Sequence, residues 1–168
     1  MAYRNKTYVI FDGDNDMWAY GFMKGWKNNE KIDFNFHDAH DLSPISTAQN
    51  EAYIKGVLRE RLKNTKQAIV LVGDNTKYLY RFVRWEIETC LSMKIPVIVV
   101  NLNNLRRQDD EKCPAILKGT QSVHVSFRLA IIKHALDNFP EQFATLGPSE
   151  SGPYSYSAEL YKRLGISS

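Results

Sequence analysis

Two sets of carboxylates in this sequence are of a type that could do chemistry. The first follows an apolar run, Tyr8 to Phe11, in the loop Asp12-Gly13-Asp14-Asn15-Asp16; a related Asp74-Asn75 follows another apolar run, Ala68 to Val72. Carboxylates gathered at strand ends can hold Mg2+ against substrate phosphates. The same Asp-Gly pattern also builds turns and caps helices. The second set is a single residue, Glu86, inside Trp85-Glu86-Ile87. One carboxylate beside a large aromatic can stabilise positive, oxocarbenium-like charge at the anomeric carbon of a nucleotide sugar, or hold ribose hydroxyls in a reactive pose. Phe11 and Trp85 supply aromatic faces that can stack on a flat ring. The plain alternative for Glu86 is a solvent-facing residue near a helix N-terminus, where negative charge is favoured. A third stretch, His37-Asp38-Ala39-His40-Asp41-Leu42, is rich in groups that cap, turn or line a pocket. Its spacing matches no metal-ligand pattern, and no metal site is assigned.

These residues need a frame. Residues 67–100 read as strand, loop, helix and strand, the signature of a βαβ unit. Neither apolar run alternates with polar residues, so both strands are expected to be covered on both faces. A first strand ends at Phe11, and Asp16 is placed to cap the helix after it. Trp18, Phe22, Met23 and Trp26 recur at helical spacing and are expected to form the buried stripe of that helix. Residues 32–36 alternate as a short, exposed strand, and 48–64 make a second helix with Ile54, Val57, Leu58, Arg61 and Leu62 on one face, the stem of Arg61 covering its edge. Val123 to Val125 read as the last strand. Ser126 is a cap for a helix from about Arg128 to Asn138. Alternating strands and helices predict a three-layer, flavodoxin-like α/β fold with a mostly parallel five-stranded sheet. Such sheets bind ligands beyond the carboxyl ends of their strands, where loops 12–16, 37–46, 73–77 and 101–104 should meet.

Composition sets the outer bounds. A chain of 168 residues, 43% hydrophobic and 24% charged, suffices for one folded domain. A net charge of +3 does not mark a nucleic-acid binder, and Cys90 and Cys113 make no disulfide framework. No apolar run approaches the length of about 18 residues that reads as a membrane helix, so a cytoplasmic protein without membrane association is expected. Residues 1–140 are expected to hold the domain, and 141–168 a C-terminal extension with one short helix.

The landmarks together resemble the bacterial TIR-like family that includes the ThsB sensor proteins of Thoeris anti-phage defence. Phe34-Asn35-Phe36 and the following His37 to Leu42 look like that family's second strand and loop. Ile69 to Thr76 resembles its third strand, and Val83-Arg84-Trp85-Glu86-Ile87 its helix motif. The resemblance implies that Glu86, rather than Glu88, is the catalytic glutamate, since Glu88 two residues on faces elsewhere. It further implies NAD+ as substrate, with no tightly bound cofactor. Loss of nicotinamide would leave an ADP-ribosyl group for water, adenine or another acceptor, and a cyclic ADP-ribose isomer would signal to an effector. Phe11, Asp12, His37, Asp38, Asp74, Asn75 and Trp85 are then the candidate substrate contacts. His40, Asp41 and Leu42 form an assembly or gating loop in a domain that self-associates. The acidic loop 12–16 departs from the Ser-containing loop of many family members. It sits awkwardly beside a diphosphate unless basic groups such as Lys77, Arg81 or Arg84 compensate.

Two alternatives stay open on the residues alone. Phe11-Asp12-Gly13-Asp14-Asn15 is similar to the first motif of haloacid-dehalogenase-like phosphatases and to the opening of NYN/PIN-type nucleases, which would make Asp12, Asp14 and Asp74 a Mg2+ cluster. A receiver-like or TIR-like module that only binds other proteins is the other. The lysine a receiver wants after its last strand is replaced here by Ser126-Phe127-Arg128.

Overall fold

The computed structural model describes residues 6–28, 37–38 and 50–167, with only the backbone described at Lys6, Lys27, His37 and Asp38. The expected strand 32–36 and the loop residues His40, Asp41 and Leu42 lie outside the described residues. Elements run in the order β1 (Lys6–Ile10), α1 (Met17–Asn28), β2 (His37–Asp38), α2 (Glu51–Leu62), β3 (Gln67–Val72) and α3 (Phe82–Ser92). They continue with β4 (Val97–Asn101), β5 (Val123–Ser126), α4 (Leu129–Ala144), β6 (Tyr154–Ser155) and α5 (Ala158–Arg163). The strands form one sheet, ordered β2-β1-β3-β4-β5-β6, and every pairing is parallel.

The register shows why β3 and β4 carry long apolar runs. Ile10 pairs with Val70, and Val72 with Asn101. Successive side chains enter opposite layers. Val9, Phe11, Ile69, Leu71, Ile98 and Val100 face α1, α4 and α5. Tyr8, Ile10, Val70, Val72, Val97 and Val99 face α3. α2 reaches the sheet through Leu62 and packs on α3 through Ile54, Leu58 and Trp85.

Several expectations are corrected. α1 buries Ala19, Tyr20 and Met23, whereas Trp18 and Phe22 stand 52% and 59% exposed. The apolar arc of this helix is wider than the sheet can cover, so the row at 18 and 22 is left at the edge against Phe127. His37 and Asp38, expected to open a loop, instead pair as an edge strand with Lys6 and Thr7. Ser126 closes β5 instead of capping α4, whose N-cap position is Arg128. α4 runs on through Pro140 to Ala144 because Phe139 and Phe143 keep its last turns docked on the core. Beyond it, Tyr154 donates its N–H to the Ser122 carbonyl at 2.9 Å and adds β6 to the sheet. Only glycine fits at 152, where a Cβ would stand 1.7 Å from the Thr120 carbonyl oxygen. The short helix expected in the tail is α5, and its Tyr161 is fully buried.

Candidate functional site

Helical geometry decides what Glu86 can be. Val83, Ile87 and Cys90 form the stripe of α3 that faces the sheet. Glu86, one turn after Val83, falls in the same arc. It is therefore a carboxyl group in an apolar stripe, 2% exposed, and not the solvent-facing residue of the plain alternative. Glu88 points outward, its carboxylate shared between Lys55 at 2.7 Å and Arg84 at 2.6 Å.

β1 meets Glu86 from below. Alternation along the strand turns Tyr8 toward α3, and its hydroxyl donates a very short hydrogen bond to Glu86 Oε2. Tyr8 is itself 1% exposed. Removal from water pushes the Glu86 carboxyl up to about 8, against the opposing pull of the Tyr8 hydrogen bond and the Arg61 charge. Burial, followed by the charge of Glu86, drives the Tyr8 phenol far above its ordinary range, so it keeps its proton. Burial and the same charge push the Cys90 thiol up. The result is a poorly solvated carboxyl that titrates near neutral pH, with a permanent donor on one oxygen. Such a group is suited to meeting developing positive charge.

The other candidates separate around it. Phe11 lies on the opposite face of the sheet, stacked on Tyr20 with ring centroids 4.6 Å apart. Trp85 points away from the sheet, between Ile54 and Leu58, with the Arg81 guanidinium 5.5 Å over its ring. It locks α2 to α3 rather than offering a free stacking face. Asp12 is buried and organises its own loop. Its Oδ1 accepts from the N–H groups of Asp14 and Asn15 at 3.0 and 3.3 Å, and its Oδ2 from Asn15 Nδ2 at 2.7 Å. The acidic loop is thus an Asx-type turn, and its first carboxylate is consumed in holding it. Asp16 leans on Gly73, where a Cβ would come within 2.3 Å of its carboxylate. Asp74 is paired with Lys112 at the rim. Among the described residues no group of three or more His, Cys, Asp or Glu side chains is arranged to hold a metal ion.

Among the described residues, two of the crevices near the carboxyl ends of the strands take in candidate residues. One, of about 460 Å3, is lined by Asp12, Asp14, Tyr78, Tyr80, Arg81, Phe82 and Val83. It lies at the start of α3, and Val83 on its wall is one helical turn before Glu86, which does not itself line it. The other, of about 470 Å3, lies past the ends of β3 and β4 and includes Asp16, Asp74, Asn75 and Lys112. Asp12 therefore belongs to the first crevice, and Asp74 and Asn75 to the second. Of the basic groups that might offset a diphosphate, Arg84 is held by Glu88, and Lys77 donates to the Glu111 carbonyl at 2.6 Å. Arg81 lines the first crevice.

Sequence reasoning gave no role at the site to Tyr8, Tyr78 and Tyr80, and read Arg61 only as the edge of a helix stripe. Tyr8 carried a usable signal: a phenol in a buried apolar run needs a partner for its hydroxyl. The exposed Tyr78 and Tyr80, at 56% and 64%, carried none, since they are set by a turn whose position depends on the fold.

A family model described as "Thoeris protein ThsB, TIR-like domain" matches residues 8–107, from the Tyr8 position through α3 and β4. No curated protein matches the chain.

Proposed function

The chain belongs to the TIR-like ThsB family, and from that premise we propose that it cleaves the nicotinamide–ribose bond of NAD+ to make an ADP-ribose-derived signal. The observation that carries this reading is Glu86: a carboxyl buried in an apolar stripe, hydrogen-bonded to Tyr8, one helical turn along α3 from a crevice at the carboxyl edge of a parallel sheet. When the glycosidic bond breaks, its electron pair leaves with neutral nicotinamide, and positive charge spreads over the anomeric carbon and the ring oxygen. An ionised Glu86 stabilises that charge or holds the ribose hydroxyls while it forms. Tyr78 and Tyr80 offer exposed ring faces for a flat base, and Arg81 a cation for the diphosphate. Water attacking the sugar, with release of a proton, gives linear ADP-ribose. Attack by a nitrogen of the same molecule's adenine gives a cyclic isomer. The product then diffuses to an effector in anti-phage defence, and self-association of the domain assembles the active form.

The test is chromatography of NAD+ incubated with the protein, with and without lysate of phage-infected cells, followed by mass analysis of the products. Nicotinamide release that continues unchanged in Glu86→Gln sinks the role given to Glu86. A second reading, a TIR-like module that only binds a partner, draws on the exposed Trp18 and Phe22 of α1. It predicts no turnover in any assembled or triggered state. The Mg2+-dependent reading draws less support, because Asp12 is occupied by its own loop and Asp74 by Lys112.

A further inference from the structure

We propose that Tyr8 is a positioning residue for Glu86: its hydroxyl fixes the carboxylate in one orientation and favours the ionised form that the reaction uses. The inference rests on the reading of Glu86 as the catalytic carboxylate. Tyr8 is anchored in the rigid part of the fold, on β1 between β2 and β3, while Glu86 rides on α3. Their hydrogen bond therefore ties the helix bearing the carboxylate to an interior strand of the sheet across a span of 78 residues of chain. A buried carboxylate on a flexible side chain would otherwise sample other rotamers or take up a proton to escape its poor solvation.

The charged and titratable groups that face Glu86 come from each element around it: Tyr8 from β1, Arg61 from α2 and Cys90 from α3 itself. Arg61 acts through charge. Cys90 stays protonated, its thiol pushed up by burial. Tyr8 is the group whose hydroxyl donates to Glu86 Oε2, and a donor to the charged form favours that form. Replacing it by phenylalanine keeps the ring packed against Ile10 and the α3 stripe while removing one oxygen.

The experiment follows the Glu86 carboxyl directly in the resting protein, by 13C NMR of chain labelled at glutamate side-chain carboxyls. The Glu86 signal is identified by its loss in Glu86→Gln. In Tyr8→Phe its titration midpoint is expected to move about one pH unit alkaline, since a lost donor to the charge is of that order. In a chain carrying 3-fluorotyrosine at position 8, a more acidic phenol and so a stronger donor, the midpoint moves the other way. Nicotinamide release should track both, with Tyr8→Phe about tenfold slower at pH 7 and recovering as the pH is raised. A midpoint unchanged in both chains overturns the proposal and leaves Tyr8 as packing alone. A midpoint that moves while turnover ignores it overturns the catalytic reading of Glu86, and this role with it. If Tyr8→Phe does not fold, the fluorotyrosine chain, identical in shape but for one atom, decides alone.

Discussion

Glu86→Gln should make this protein more stable while it loses activity, and the gain should depend on pH in a defined direction. The folded carboxyl titrates at about 8, against 4.5 for an unperturbed glutamate, because burial starves its charge of solvent. Between those values the folded chain holds a proton that the unfolded chain has released. Stability must then fall as pH rises, since the folded state binds more protons. The fall starts near the unfolded value and is complete once the folded group ionises near 8. At about 1.4 kcal/mol per pH unit, the whole interval is worth up to about 5 kcal/mol, of which about 2 kcal/mol lies between pH 6.5 and 8. Glutamine keeps the shape and an oxygen to accept from Tyr8, but has no charge to desolvate. Urea unfolding of both chains at half-unit steps from pH 6.5 to 8.5 measures the difference directly. The variant's advantage should widen by about 2 kcal/mol across that window, near the upper end of what single substitutions give. A constant difference, or a variant that is the less stable chain at pH 8, would refute the reasoning that Glu86 is a desolvated carboxyl.

The same ionisation sets the rate: nicotinamide release should climb with pH to a midpoint near 8, where half of Glu86 is charged, and Glu86→Gln should lose at least about a hundredfold at every pH. His124 is fully buried, and desolvation lowers its pKa to about 4 against 6.5 unperturbed. The unfolded chain therefore takes up the proton first, and stability is lost as pH falls from 6.5 toward 4, by up to about 3 kcal/mol; denaturant titrations of His124→Gln should lack that limb. Gly152→Ala drives a methyl into the Thr120 carbonyl 1.7 Å away and should cost about 2 to 3 kcal/mol. Hydrogen exchange at the Tyr154 amide, which bonds Ser122, should report the loss of β6 first.

The frame was legible because parallel strands are buried on both faces and carry unbroken apolar runs, as Ala68 to Val72 and Ile95 to Val100 do. What surrounds the frame was less so. The aromatic row of α1 reads as core by period, but period gives the phase of an arc and not its width, so Trp18 and Phe22 were misplaced. Asp12 reads alike as a metal ligand and as a turn. Only the N–H groups of Asp14 and Asn15 converging on it settle which. β6 depends on a pairing with Ser122 some thirty residues back, which no local pattern announces. Glu86 was half legible: its flanking positions 83, 87 and 90 mark the buried side of α3, and the residue between them inherits that side. The family likeness singled it out before the geometry did.

Buried polarity at Tyr8 and Glu86 is costly for the fold on its own account. Phenylalanine and leucine at these positions would fill the same space between β1 and α3 with no polar atom to satisfy. Replacing a buried polar pair by packed apolar side chains is often neutral or stabilising. The neighbours argue the same way, since Ile10, Val70, Val83, Ile87 and Cys90 make this layer an ordinary hydrophobic contact everywhere else. The carboxyl is not needed to join α3 to its neighbours either. Trp85 joins α3 to α2, and Lys55 bridges the two helices through Glu88. A carboxyl costly to bury, placed one helical turn from a crevice at the ligand edge of the sheet, fits a site built for chemistry. On the proposed reading, the stability gain in Glu86→Gln and the loss of turnover in the same variant are one prediction: the charge that weakens the fold would be the charge the reaction uses.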